Sequence, residues 1–357
     1  MANTVYTTMT EIFSSLFQSF KLVAVLPAFL FVHLNYSVFY SAISGENIWS
    51  IIFAIHSSDN IVAIIILSFL IGYFLSILNL PLIRFFEGYP WRGTYYGRFF
   101  TDLQIQRKKK LFDVVEQVDK EIDRLEIQRK QYLPGHPLRE DIFFKIEMLK
   151  RERDVASSLT QRTELLNFPV SRAPFLPTVL GNVIAAFEDY PYKQYGIDSV
   201  IMWPRLIPTL TKEKFSIYVD NEKSKLDFMI NLCVLSVLFA IELAYIGLIF
   251  ADNYKLWLIS AGFTGLCSYF VFYKCAILSA VGWGNTIRVA FDLHRYQLLS
   301  KLYIRIPKDK TDEEIIWKQI SQVFREQEYD YKRNPILDYA RIYTAVMRVE
   351  ESGNKGG

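Results

Sequence analysis

A mainly α-helical, polytopic membrane protein, with four transmembrane helices in two hairpins and a largely helical cytoplasmic domain, is the fold class this sequence predicts. Three observations carry that reading. Of 357 residues, 51% are hydrophobic and 16% aromatic while 22% are charged, and the mean hydropathy is +0.15. Such a chain is too apolar for an ordinary soluble domain and too polar to lie wholly in lipid. Four runs almost free of charge, 22–44, 60–83, 228–251 and 256–278, reach the ~20 residues that a bilayer requires. Between and after them, charged residues alternate with apolar ones at helical spacing.

Residues 1–21 place Met9, Ile12, Phe13, Leu16, Phe17 and Phe20 on one helical face. That pattern predicts an amphipathic helix, lying in the membrane interface or packed on the protein's own cytoplasmic part. It lacks the basic start and small-residue cleavage site of a signal peptide. The first hairpin, 22–83, closes through a loop (45–59) that holds Glu46, His56 and Asp59 but no Lys or Arg. The second, 228–278, closes through Asp252-Asn253-Tyr254-Lys255. The segment between the hairpins and the tail after them are dense in Lys and Arg. Positive charge stays inside, so both loops are expected outside, and both termini and the middle region in the cytoplasm.

Residues 84–168 begin with FFEGYPWRGTYYGRFF, residues 85–100. Tyr89, Trp91, Tyr95 and Tyr96 suit an interfacial aromatic belt, and Arg84, Arg92 and Arg98 suit its cytoplasmic side. Pro90 disfavours helix at the residue before it and so ends the span. An anchor and hinge is the leading reading. The alternative is a ligand platform of Arg92, Tyr95, Tyr96 and Arg98, set against Tyr192–Arg205. Beyond it, Leu111, Val115, Val118, Ile122 and Leu125 follow 4-3-4-3 spacing. Pro134-Gly135-His136-Pro137 turns the chain, and Ile142, Ile146 and Leu149 share a second helical face. An antiparallel coiled-coil-like hairpin follows. Arg107, Lys108, Lys109 and Lys110 are successive and cannot share one face. They are a solvated surface, or a contact for an anion or for lipid headgroups.

In 169–227, six prolines predict short pieces around one helix, 178–189. Thr211 is then expected to cap a helix that runs straight into the third span. Tyr192, Lys193, Trp203 and Arg205 put aromatic rings beside bases. Such sets stack nucleobases and hold phosphates, or form a packed Pro/aromatic corner. In 279–357 the fourth span continues past Gly282 and Gly284 to Leu298. Thr311-x-x-Glu314 then reads as a capping box, and the tail as mobile.

Two charges fall inside spans. With the second hairpin turning near residue 253, Glu242 lies level with about residue 264. Lys274 is then some 15 Å too far to pair with it and snorkels to the interface. Glu242, with Asn231 three turns earlier and Ser236 near a neighbouring helix, reads as a pore or gating set in an oligomer. The other reading is a protonated acid hydrogen-bonded between helices. Gly262 and Gly265 allow close helix approach.

The three cysteines lie apart in apolar runs and the four histidines show no ligand spacing, so neither a disulfide framework nor a metal or cofactor site is expected. No nucleophile elbow, phosphate loop or zinc-protease motif is present, and an enzyme is not expected. A net charge of +3 is too small to signal a nucleic-acid binder by itself. Two readings remain: a homo-oligomeric channel gated through its cytoplasmic part, and a membrane-anchored scaffold that recruits cytoplasmic partners.

RFFEGYPWRG (84–93) and YGIDSVIMWPRLIP (195–208) resemble the hallmark stretches of a family of uncharacterised bacterial integral membrane proteins. The layout is also similar to the membrane effectors of the Hailong anti-phage defence system. That resemblance implies a tetrameric channel in the bacterial inner membrane, shut by short single-stranded DNA oligomers that a partner nucleotidyltransferase makes. It carries no residue-by-residue assignment.

Overall fold

The computed structural model describes residues 22–44, 51, 58–210, 214–249 and 255–326. Among them the elements are helical: α1 (Leu22–Ser44), α2 (Ser58–Glu87), a short 3-10 turn (Tyr89–Trp91), α3 (Tyr95–Lys130), α4 (Pro137–Asn167), α5 (Val179–Tyr195), α6 (Ser199–Leu210), α7 (Lys214–Ile249), α8 (Lys255–Lys301) and α9 (Lys310–Glu326). The expected N-terminal amphipathic helix, the Thr211 cap, the hairpin turn at 252–254 and the tail lie outside the described residues. Helices α1, α2, α7 and α8 are long and apolar enough to cross a membrane, and the chain is a multi-pass membrane protein. It divides into two compact units, Met1–Phe86 with Val219–Trp283, and Glu87–Tyr218 with Gly284–Gly357.

In the first unit small residues let backbones meet, as they must where lipid is as apolar as leucine. Gly72 of α2 lies against the Val25 backbone of α1, where a Cβ would sit 3.0 Å from Val25 Cα. Asn60 Nδ2 donates to Tyr36 Oη at 2.9 Å. Those two contacts define an antiparallel pair. Gly262 and Gly265 of α8 meet Ala240 and the Ser236 carbonyl of α7, with Cβ clearances of 3.2 Å at each, defining the second pair. Asn231 Nδ2 donates to the Val23 carbonyl at 3.2 Å, and further along the same two helices Val38 packs on Leu243. Helices α1 and α7 are therefore parallel, and their C-terminal ends point the same way. Ala24, Ala28, Leu75 and Leu235 form the core where three helices meet.

In the second unit α3 and α4 form the expected hairpin. Ile122, Leu125 and Ile146 are its core, with Val118, Ile142 and Leu149 around them. Gly135 turns the chain at φ 87, and His136 Nδ1 caps α4 by accepting from Leu138 N–H at 3.2 Å. Helix α2 ends at Gly88, φ 89, as Pro90 suggests. The exit is fastened to α5. Thr178 Oγ1 caps α5 at Gly181 N–H, 2.9 Å, and donates to the Glu87 carbonyl at 3.0 Å. Gly181 has no room for a Cβ beside that carbonyl.

Two sequence expectations change. The prolines of 169–210 do not confine helix to 178–189: α5 runs through Pro191, and α6 holds Pro204 and Pro208. A proline removes one N–H and crowds the preceding turn, yet side chains supply bonds there. Ser199 Oγ donates to the Glu188 carbonyl at 2.5 Å, and Arg205 Nη1 to the Ile201 carbonyl at 2.6 Å. Both carbonyls lie three residues before a proline. The last helix is capped by Asp309, not Thr311: Asp309 Oδ1 accepts from Asp312 N–H at 2.9 Å. The first turn is then braced, since Arg305 grips the Asp312 carboxylate at 2.5 and 2.6 Å.

The irregular stretch 168–178 is held by two buried polar side chains of α5. Asp189 accepts the N–H groups of Val170, Ser171, Arg172 and Ala173. Asn182 exchanges hydrogen bonds with Leu176, at 2.9 Å from its N–H and 2.8 Å to its carbonyl. Removing the carboxylate strips four part-buried N–H groups of their acceptor, so Asp189→Ala is expected to destabilise the unit by roughly 1–3 kcal/mol. The expected sign is a lowered unfolding midpoint with new proteolysis in 168–178.

The Asp312 carboxyl is held at about 2, below its ordinary 3.8, first by the Arg305 guanidinium and then by the Lys308 N–H. A depressed carboxyl stabilises the fold above its unfolded value and stops doing so as pH falls through its folded one. Amide protection in 308–314, relative to the intrinsic exchange rate at each pH, should thus fall between about pH 4 and pH 2, and Asp312→Asn should abolish that pH-dependent part.

Candidate functional site

The C-terminal end of α5, the loop before α5 and one face of α9 border a cavity of ≈ 430 Å³, lined by Arg172, Tyr192, Gly196, Lys318, Ser321, Gln322 and Arg325. Local folding explains each wall. Gly196 ends α5 at φ 77, where a Cβ would lie 3.0 Å from the Glu314 carbonyl. Only glycine reconciles that turn with α9 so close. Lys318, Ser321, Gln322 and Arg325 recur at three- and four-residue steps and so share one face of α9. Arg172 is aimed by the Asp189 clamp on its own N–H, 2.7 Å.

The charges are arranged around Asp198, the residue before α6. Arg172 Nη1 is 3.2 Å from its carboxylate, and Arg325 also pairs with it. Asp198 N–H donates to Ser321 Oγ at 3.2 Å. The Arg172 guanidinium lies 5.3 Å from the Tyr192 ring centre, and Lys318 Nζ lies 3.4 Å from Glu314 Oε2. Three cations, an aromatic ring, a hydroxyl and an amide thus line one polar cavity, with Asp198 and Glu314 paired to its cations. This arrangement can take one anionic group between the guanidiniums in exchange for Asp198, with a flat ring stacked beside it.

A second polar network adjoins α8. Tyr195 and Tyr190 donate to Asp292, Tyr195 at 2.7 Å and Tyr190 at 3.1 Å. Arg295 pairs with Glu313 at 2.8 Å and lies 4.1 Å from the Tyr195 ring centre. Burial and then the Asp292 carboxylate push both phenols above their ordinary value. Every member is committed to another, which marks this network as bracing between helices.

The sequence candidates are distributed among several places. Tyr192 lines the cavity, and Lys193 is exposed beside it. Trp203 packs on Phe291, ring centres 6.0 Å apart. Arg205 lies 3.9 Å from the Phe324 ring centre besides bonding Ile201. Lys108 pairs with Glu164 at 2.7 Å and sits over Phe175, whereas Arg107, Lys109 and Lys110 are exposed. Arg92, after the 3-10 turn, and Tyr95, Tyr96 and Arg98, at the start of α3, are exposed, and none of them lines the cavity of Tyr192. Sequence reasoning missed Arg172, Lys318, Ser321, Gln322 and Arg325. The α9 residues were discoverable from their shared face, but Arg172 was not, because only the loop clamp brings it there.

In the membrane-length unit, a cavity of ≈ 490 Å³ is lined mainly by Leu, Phe, Val and Ala of α1, α7 and α8, with Ser236, Ser260, Thr264 and Ser268 among them. Glu242 is not part of it. Gly262 packs between Ala240 and Ala244, which bracket Glu242 in sequence. Lys274 is twelve residues further, about 18 Å along the helix. Asn231 shares a face with Glu242 but is buried under α1 through its bond to Val23. At the level of Glu242 that face is open: Leu238, Ile241 and Tyr245 around it are all exposed. No hydrogen bond or ion pair of Glu242 is found among the described residues.

Where inorganic pyrophosphate enters this cavity, Arg172→Ala or Arg325→Ala is expected to weaken its binding by roughly tenfold or more, the worth of a charged hydrogen bond. The loss should shrink as salt rises. Arg205→Ala is expected to lower the unfolding midpoint instead, leaving affinity in the surviving folded protein unchanged. Calorimetric titration and thermal unfolding separate the two. Comparison with known protein families, with curated proteins and with solved structures gives no match for this chain.

Proposed function

We propose that this chain is the protomer of a homo-oligomeric membrane channel whose helical unit binds a phosphate-bearing ligand that sets the open or shut state. The observation that carries the reading is Glu242. It is an acid deep in an apolar helix, on a face its own unit leaves open, without an ion-pair partner among the described residues. A carboxylate there costs about 2.5–3.5 kcal/mol on insertion scales, a cost that water in a shared pore would relieve. A single unit's own cavity is apolar and excludes Glu242, so an ion path needs several copies, with α7 facing a common axis. A ring of acids would favour cations.

The cavity at Arg172, Tyr192 and Arg325 supplies the ligand seat, and its chemistry suits a nucleotide or a short single-stranded DNA oligomer. The resemblance to anti-phage effectors adds the direction: the oligomer holds the channel shut, and its loss depolarises a bacterial cell. A tetramer in the inner membrane, with cytoplasmic termini and a partner nucleotidyltransferase, belongs to the same proposal. The exposed rings of Tyr95, Tyr96, Phe99 and Phe100 support seating the start of α3 at lipid headgroups. A scaffold without conduction is the second reading, favoured by the large apolar side chains exposed on the α3–α4 hairpin.

Purified protein in planar bilayers distinguishes them. A voltage-driven current is expected that a short single-stranded oligodeoxynucleotide reduces, and Glu242→Gln should lower both conductance and cation preference. Absence of current with and without the oligonucleotide leaves the scaffold.

A further inference from the structure

The outer side of α4 carries a second apolar stripe. Its inner seam against α3 uses Ile142, Ile146 and Leu149, with Thr160 Oγ1 donating to the Leu111 carbonyl at 3.1 Å. Phe144, Met148, Val155 and Leu159 follow 4-7-4 spacing, which places them within about 60° of one another and roughly 140° around the helix from that seam. They are 64%, 73%, 59% and 57% exposed. Helix α4 is not among the four membrane-length helices, and its stripe is interrupted by Arg151 and Glu152 and bounded by Arg162. Heptad spacing of large apolar side chains is the pattern of a helix-pairing seam.

The charges within the stripe indicate what pairs with it. Its centre lies between Arg151 and Glu152, and the chemistry reads the same outward in both directions. In a second copy laid antiparallel about that centre, Phe144 faces Leu159, Met148 faces Val155, Arg151 faces Glu152 and Asp141 faces Arg162. Every apolar side chain meets an apolar one, and every charge meets its opposite. In parallel register each charge would meet its own kind. All eight side chains are exposed, and among the described residues none of these four charges is in an ion pair.

We infer that α4 pairs antiparallel with α4 of a second copy of this chain, about a two-fold axis passing between Arg151 and Glu152. The contact is isologous, each patch binding its own copy. From 141 to 162 it spans about 32 Å, three heptads, too short to hold free chains together strongly. It acts where a bilayer already gathers copies at high effective concentration. The pairing does not depend on conduction, so a protein that passes no ions would still show it.

The test is cysteine cross-linking of the full chain in lipid nanodiscs with a short water-soluble bis-maleimide. The native Cys233, Cys267 and Cys275 all lie in membrane-length helices, and the chain without added cysteine gives the background. Glu152→Cys, next to the axis, is expected to cross-link to itself. Asp141→Cys is expected not to, but to cross-link when mixed with Arg162→Cys. Glu152→Arg on that mixed pair gathers four guanidiniums and should lower the cross-linked fraction roughly tenfold. The exchange Arg151→Glu with Glu152→Arg should restore it, which loss of folding would not. Self-cross-linking of Asp141→Cys and of Arg162→Cys, the parallel result, overturns the inference. So does the absence of a Glu152→Cys dimer, the outcome if residues 327–357 or another protein cover the stripe. Failure of the charge exchange to restore the cross-link overturns it as well.

Discussion

One buried carboxylate sets much of the second unit. Residues 168–178 cross the end of α5 without regular structure, so their backbone donors have no ladder to join and need side-chain acceptors. Asp189 answers four of them at once. A charge out of water is tolerable only when so many donors converge on it. Arg172, Pro177 and Thr178 all inherit their positions from this loop. Through Thr178 the chain leaving Glu87 is fastened to α5, and through Arg172 the guanidinium reaches Asp198.

The membrane-length unit follows a different constraint. Lipid offers no hydrophobic gain for pressing helices together, so close packing and hydrogen bonding must supply the attraction. Gly72, Gly262 and Gly265 bring backbones into contact, and Asn231 ties α7 to the α1 carbonyl at Val23. Elsewhere serines and threonines bond back to their own helix, as Ser37, Ser68, Thr264 and Ser268 do. Glu242 fits neither pattern. Its openness, rather than its charge alone, distinguishes it from Asn231 three turns earlier on the same face.

The arginines and lysines show how far residue type alone misleads. Arg107 to Lys110 are successive and cannot share one face, and Lys108 is drawn inward to Glu164 while its neighbours stay exposed. Arg205, beside a tryptophan and a proline, has the composition of a phosphate contact. Its guanidinium instead covers Phe324 and bonds a carbonyl in a proline-interrupted turn. The cavity that gathers cations draws on a loop and on α9, whose bases Lys318 and Arg325 belong to neither basic stretch that residue type singles out.

The sequence by itself determined the four spans, the α3–α4 hairpin with its seam residues, the helix stop at Gly88, and the glycines at which α8 meets α7. All are local or periodic properties: apolar run length, heptad spacing and the backbone freedom of glycine act through near neighbours in the chain. Tertiary structure alone decided that Pro191 and Pro204 stay within helices, where Ser199 and Arg205 return bonds to the interrupted turns. It decided that Asp309 rather than Thr311 caps α9, since the turn at 308–312 is closed by Arg305. And it decided which bases face a cavity, because Arg172 and Arg325, 153 residues apart in the chain, meet only when Asp189 shapes the loop and Asp198 draws both guanidiniums to one carboxylate.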